Sequence, residues 1–399
     1  MSSSSPICVA PLLDLPPSSA TTSPLRWGVL GCGRVSNDFC LAAHSAFGRD
    51  NPSIRITACA SASSESSARG FADRHGIARA YGSYAELADD GEIDVVYVGT
   101  VHHMRLSVAS MVIAAGKHLV LEKPFALCLD DARAIVQMAR KAGVFCMEGM
   151  WTRFFPVLRH VDSILKSGDL GAPVQLTSGF HFNTEDSEKY PDSPLYNFDL
   201  AGGAAMYVGP YPLHVTAMVL GCNPTSVKAV GRVDSGTGVD LQASVSLGFA
   251  AVNAPQAEVG EKARPRPNAG ALASIHYGFL TESGGTTIFC EGGKIIIHEP
   301  SHCPTSFSVD IKLAGRGEKE TKTFDYSLPP VVGDVGDLQY NYPNSAGFAY
   351  EAAAVCRHIA AGLTEAPECN LDDTLEVMKQ LDEIRGQIGM DIPREAGSK

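Results

Sequence analysis

An apolar run, Leu119-Val120-Leu121, ends in a carboxylate, an ammonium and a proline in consecutive positions, Glu122-Lys123-Pro124. Such a run reads as a buried strand of a parallel sheet. Ligands of open parallel sheets bind outside the carboxyl ends of the strands, so Lys123 stands at the rim of a crevice. Pro124 has no N–H and disfavours helix for the residue before it, which keeps Lys123 extended. A surface lysine at a strand end is the competing reading of this motif alone. A second stretch, Gly202-Gly203-Ala204-Ala205-Met206-Tyr207-Val208-Gly209-Pro210-Tyr211-Pro212-Leu213-His214, carries three proton-exchanging side chains. A helix starting near Gly209 places Tyr211 in its first turn and His214 nearly on the same face, with Tyr207 just ahead. Core packing competes there with acid–base work.

Two further stretches look like binding elements. Gly31-Cys32-Gly33-Arg34-Val35-Ser36 follows the strand 25–30 directly and opens a helix, the context in which a glycine turn lets the backbone approach a pyrophosphate. Ser36 stands where a third Gly or Ala is usual and is small enough for close packing of helix on sheet. Trp151-Thr152-Arg153-Phe154-Phe155-Pro156 leaves a later strand. Trp151 and Phe154 suit the apolar walls of a pocket with Arg153 as donor, and an interdomain packing plug is the equal alternative.

These residues need a frame. Residues 54–60, 94–100, 117–121 and 144–147 read as further strands, and 130–143 as a helix burying Ala132, Ile135, Val136 and Ala139. Their alternation over residues 25–150 predicts a doubly wound parallel sheet, α/β in class. At the end of the second strand, where a carboxylate would hold a ribose hydroxyl, the chain has Ser61, Ser63 and Ser64, with Arg69 a turn further on. That pattern favours NADP over NAD, because hydroxyls and a guanidinium accept a 2′-phosphate that a carboxylate would repel. Thr100 ends the third of these strands, and His102 and His103 follow it on a loop. From 173 onward the runs 174–182, 224–233, 241–250, 272–281, 286–291 and 294–299 predict a mostly antiparallel, open-faced sheet, giving an α+β second domain over 151–399. Helices are expected at 346–361 and 371–388, the last able to pack back on the first domain. Residues 253–270 read as a flexible connection and 1–24 as a disordered tail.

The chain of 399 residues is 45% hydrophobic and 19% charged, with a formal net charge of -12. That charge argues against nucleic acid as a partner, and no run reaches the roughly 18 to 20 apolar residues of a membrane helix. The 11 cysteines show no metal-ligand spacing, so no metal is expected. Without a secretory signal the expected location is cytoplasmic, with organellar targeting by the serine-rich residues 1–24 left open.

Taken with Ala115-Gly116-Lys117, Met150 and Ser345-Ala346-Gly347 with Tyr350-Glu351-Ala352, these motifs resemble the glucose-fructose oxidoreductase and inositol dehydrogenase superfamily over about residues 25–390. Trp-Thr-Arg-Phe-Phe-Pro points to its dihydrodiol and D-xylose dehydrogenase branch. The resemblance implies a Rossmann domain, a homodimer formed through the open sheet face, and NADP-dependent hydride transfer at C1 of an aldopyranose or at a trans-dihydrodiol. It places Lys123 and Tyr211 on the catalytic pair, Gly31, Gly33, Arg34, Val35, Ser36, Thr100 and Glu122 at the cofactor, and Trp151, Arg153, Phe154, Tyr207 and His214 at the substrate. Tyr207 replaces the family's aspartate, and the loop after Thr100 lacks its usual proline. Reduction of a keto- or anhydro-sugar, or nucleotide sensing without turnover, are the alternatives.

Overall fold

The computed structural model describes residues 10–15, 25–51, 53–185, 188–250, 270–313 and 317–390. Six short strands, β1 (Leu25–Leu30), β2 (Ile54–Ala60), β3 (Arg79–Tyr81), β4 (Val95–Val98), β5 (His118–Glu122) and β6 (Cys146–Gly149), make one sheet in the order β3-β2-β1-β4-β5-β6. Every pairing is parallel. Strand order reverses beside β1, so β1 and β4 splay their connections to opposite faces and leave a crevice above their carboxyl ends. The middle strands are mostly apolar because helices cover both faces, as in β4, Val95-Val96-Tyr97-Val98. On helix Leu129–Ala142 the buried residues are Ala132, Ile135, Val136 and Ala139, the apolar stripe of the sequence.

The second sheet has eight strands in the order β14-β13-β12-β11-β7-β10-β9-β8: β7 (Pro173–His181), β8 (Ser226–Val233), β9 (Asp240–Phe249), β10 (Ala271–Gly278), β11 (Thr286–Cys290), β12 (Gly293–Ile297), β13 (Ser306–Lys312) and β14 (Lys319–Asp325). Only the central β7–β10 pair is parallel. Alternation separates its faces: Ala273, Ile275 and Tyr277 are buried, while Leu272 is 64% exposed and Val230 79% exposed. Helices Pro210–Leu220 and Leu371–Ile388 cover the buried face.

The two sheets are tied together by buried polar contacts. Asp38, on the first helix of the parallel-sheet unit (Arg34–Phe47), accepts from the backbone N–H groups of Asn341 and Tyr342 and from the Ser345 hydroxyl, at 2.7–3.0 Å. Helix Leu371–Ile388 does pack back on the parallel-sheet unit, with Arg385 donating to the Leu127 carbonyl at 2.7 Å and Asp382 accepting from the Leu129 N–H at 2.8 Å. Part of the stretch read as a disordered tail is bound: Ala10–Leu13 is helical, and Arg357 donates to the carbonyls of Leu12 and Asp14, both at 2.9 Å. The rest of that tail and, but for Gly270, the connection read at 253–270 lie outside the described residues.

Candidate active site

The crevice above β1 and β4 begins with the glycine turn. Gly31 has φ +88°, and a Cβ there would come within 2.7 Å of the Gly99 carbonyl, so only glycine lets β1 turn this close to the end of β4. Gly33 caps helix Arg34–Phe47 with no side-chain hydrogen bond to its first N–H groups, and a Cβ on Gly33 would meet open space. Unfilled space before uncapped N–H groups at a helix start is a cradle for an anion, and it fits the pyrophosphate of a dinucleotide. Ser36 is fully buried against Gly99, whose added Cβ would strike its hydroxyl. Val35 lies in the first turn and packs on the core. Arg34 reaches across the mouth to pair with Glu188 of the second unit at 2.9 Å.

At the end of β2, the Ser61 and Ser63 hydroxyls share a hydrogen bond at 2.8 Å, and Ser64 caps the next helix by accepting from the Ser67 N–H at 3.1 Å. Arg69 is exposed one turn along that helix. Thr100 is buried beside the turn, with no partner for its hydroxyl among the described residues.

Lys123 follows the last residue of β5, and its peptide to Pro124 is cis. Arg105, itself buried, holds this edge by donating from one nitrogen to the Val98 carbonyl at 3.0 Å and the Glu122 carbonyl at 2.7 Å, so the ends of β4 and β5 are cinched together. Lys123 Nζ donates to the Tyr207 carbonyl at 2.8 Å and lies 5.0 Å from the centre of the Tyr211 ring. Burial lowers the Lys123 ammonium to about 8, against the opposing pull of Glu122. Tyr211 sits in the first turn of helix Pro210–Leu220, as the Gly209-Pro210 start requires. Its hydroxyl receives the Trp151 indole N–H at 3.4 Å. Burial, then the charge of Glu122, holds the phenol well above its ordinary value. The Trp151 ring stacks on Phe348 at 4.3 Å, which fixes the indole in place.

Other expected site residues are placed differently. The Glu122 carboxylate does not face the crevice: it is buried and accepts from Tyr97 Oη at 2.8 Å and from the Lys123 N–H at 3.1 Å. It is a counter-charge behind Lys123. Arg153 is buried and each of its nitrogens donates within the fold, to the Glu368 carbonyl, the His214 carbonyl and Asp373 at 2.8–2.9 Å. Phe154 is buried in the core. His214 is fully buried beneath the site, 3.0 Å from Glu148. With Cys369 these two put a carboxylate, an imidazole and a thiol within 4.8 Å of one another; Glu148 already accepts from the Phe125 N–H at 3.2 Å and the Thr374 hydroxyl at 2.9 Å. Tyr207 remains at the site through its carbonyl, and its ring lies 4.6 Å from His102. His102 is buried against the Ala201 carbonyl at 3.1 Å and held neutral by burial.

Two residues at the site carry no signal in the sequence. His302, from the loop between β12 and β13, stacks on Phe180 of β7 at 4.0 Å and lies 5.4 Å from the Tyr211 ring. Burial, with the Lys123 charge adding, lowers its imidazole to about 3, so it is neutral. Thr152 positions it by donating its hydroxyl to the His302 carbonyl. Phe180 meets Tyr211 edge-on at 5.2 Å. The site is therefore an ammonium and a phenol between a dinucleotide crevice and an aromatic wall.

Residues 25–150 match the profile of an oxidoreductase family with an NAD-binding Rossmann fold, and residues 158–296 match the GFO/IDH/MocA C-terminal domain. The chain is 30% identical over 377 residues to trans-1,2-dihydrobenzene-1,2-diol dehydrogenase of Homo sapiens, covering 93% of this chain and 99% of that one. The Xenopus laevis enzyme of the same name is 31% identical over 92% of this chain and 99% of its own. Among solved structures, levoglucosan dehydrogenase in complex with NADH and levoglucosan superposes with a TM-score of 0.76 at 18% identity, over 92% of this chain and 97% of that one. A 3-ketoreductase from Actinomadura kijaniata in complex with NADP and TDP-benzene gives 0.70 at 21% identity, over 91% and 98%. The chain belongs to the GFO/IDH/MocA family of oxidoreductases.

Proposed function

We propose that this oxidoreductase is an NADP-dependent dehydrogenase that oxidises C1 of an aldopyranose such as D-xylose or D-glucose, giving a lactone, or a trans-dihydrodiol, giving a catechol. The observation that carries the reading is Lys123 Nζ set 5.0 Å from the Tyr211 ring at the rim of the glycine-turn crevice. Oxidation needs a base for the hydroxyl proton while hydride leaves the same carbon. A nicotinamide dinucleotide held at the Gly31–Gly33 turn would supply the hydride acceptor, and its positive charge would favour an anionic base nearby. Tyr211 Oη is that base: it accepts the hydroxyl proton as phenolate and returns it to solvent. Lys123 stabilises the phenolate and donates to the reacting oxygen, and the Trp151 N–H supports the same charge. His302 and Phe180 offer a flat aromatic wall to a sugar or diol ring.

NADP is favoured because no carboxylate lies between Ala60 and Ser64 to repel a 2′-phosphate. The open face with Leu272 and Val230 suits a homodimer. Among the described residues no helix is long and apolar enough to cross a membrane, and the proposed location is cytoplasmic. The test follows absorbance at the nicotinamide band with purified protein, D-xylose, D-glucose or a trans-dihydrodiol, and NADP or NAD in parallel. Appearance of NADPH supports the reading, and preference for NAD overturns the cofactor part. Tight NADP binding without turnover on a panel extended to keto- and anhydro-sugars with NADPH would make the protein a nucleotide-binding regulator, for which Tyr207 in the family's aspartate position is the specific motive.

A further inference from the structure

A cavity of about 450 Å³ opens at the edge of the parallel sheet opposite the cofactor crevice. It lies at the amino ends of the strands, where Arg26 of β1, Arg55 and Thr57 of β2 and Arg79 of β3 line it together with Arg49 and His44 from the end of the first helix and its following turn. Beside two carboxylates, Asp50 and Glu92, the cavity carries four arginines. Three of them are neutralised: Arg26 by Glu92 at 2.7 Å and Asp94 at 2.8 Å, Arg55 by Asp50 at 3.1 Å, and Arg79 by Asp90 at 3.2 Å.

Arg49 is different. Among the described residues no carboxylate lies within ion-pair distance of it, and its buried Nε has no partner. Its guanidinium lies over Gly76, where a Cβ would come within 2.8 Å of Nη1, so the absence of a side chain at that turn leaves room for it. His44 is 4% exposed, with an unpartnered Nδ1. Burial, then the charges of His75 and Arg49, lowers that imidazole to about 4, so it is neutral near pH 7 and presents a nitrogen without adding charge. Buried polar atoms in a native protein ordinarily have partners. Here those of Arg49 and His44 sit on one cavity wall, and the first belongs to a cation with no carboxylate within ion-pair distance among the described residues. A guanidinium of that kind matches an oxyanion through charge-assisted hydrogen bonds. The volume falls within the roughly 300–1,000 Å³ of small-molecule sites and exceeds what a single oxyanion fills.

We propose that this cavity is a second ligand site, taking the phosphate of a small phosphorylated metabolite on Arg49 with His44 as a supporting donor, and its sugar- or glycerol-like body on the wall around Thr57 and Arg55. The site is separate from the cofactor crevice and does not depend on which substrate is oxidised there. Isothermal titration calorimetry on the full chain tests it, with NADP at saturation so that the pyrophosphate cradle is filled. The probes are glucose 6-phosphate, glycerol 3-phosphate and inorganic phosphate, against sodium chloride at matched ionic strength. The expected result is saturable binding of the phosphorylated probes, tighter than inorganic phosphate, weakened at least tenfold in Arg49→Gln and several-fold in His44→Leu. Arg232→Gln, on an exposed position of β8, should leave it unchanged. Arg49 makes no ion pair among the described residues, so Arg49→Gln should keep the melting temperature and the turnover of the parent. Heats no larger than those of sodium chloride, or binding equal in Arg49→Gln, would overturn the site. Inorganic phosphate binding as tightly as the organic phosphates would overturn the metabolite body.

Discussion

Replacing Lys123 with methionine removes a charge while keeping the bulk of the side chain. Its ammonium lies 5.0 Å from the Tyr211 ring. At an effective dielectric constant of ~20, a charge pair at that separation is worth about 3 kcal/mol, which corresponds to about 2 pH units on the phenol. Burial sets Lys123 at about 8 and holds the Tyr211 phenol well above its ordinary value, so phenolate is the scarce form at neutral pH and oxidation rates should rise with pH. In Lys123→Met, Tyr211 loses its stabilising neighbour and the rising, acid-side limb of kcat/KM should move up by about 2 pH units. At pH 7 the loss should be on the order of 10²-fold. The fold should not weaken, because the half-buried ammonium is disfavoured in the native state and methionine lacks that cost. The assay is the pH profile of kcat/KM for D-xylose or a trans-dihydrodiol with NADP, with circular dichroism melts on both proteins. An unmoved limb with unchanged kcat/KM would exclude Lys123 from the chemistry, and a lowered melting temperature would show that its role is structural.

Arg153→Ala should cost on the order of 3–5 kcal/mol in urea unfolding, because it strands Asp373 and two carbonyls, with KM unchanged where the protein is folded. A raised KM without loss of stability would return Arg153 to the substrate. Tyr97→Phe leaves the buried Glu122 carboxylate short of a donor and should destabilise by about 1–3 kcal/mol in the same assay. Ser61→Asp should raise KM for NADP far more than KM for NAD; equal effects would place the 2′-phosphate elsewhere. His44 and His75 are both held down at about 4, chiefly by burial. The unfolded chain thus binds more protons between pH 6.5 and about 4, and stability should fall as pH falls through that window. His75→Gln, able to keep the hydrogen bond to Asn37, should flatten melting temperature against pH there; an unchanged slope would remove His75 from the account.

Much of the scaffold was legible because its signals are local. The glycine turn, the apolar β5 run into Lys123 and the stripe on Leu129–Ala142 each follow from a few neighbouring residues. The outer strands β13 and β14 are not signalled, since Lys319–Asp325 is a charged, largely exposed edge whose pattern resembles a loop. Helix Pro156–Ser167 was likewise hidden behind the aromatic stretch before it, although Pro156 at its first position is a start signal.

Residue type and spacing by themselves determined the doubly wound unit, the dinucleotide turn, and the candidate pair of a strand-end lysine and a helix-start tyrosine. Whether those two meet is a matter of tertiary structure, since Lys123 and Tyr211 come from separate units joined by contacts such as the Asp38 hub. The same packing turned Arg153 and His214 inward and brought His302 in from the β12–β13 loop, because each side chain's direction depends on partners far away in sequence. Local chemistry names the groups that can act; long-range packing decides which of them share one crevice.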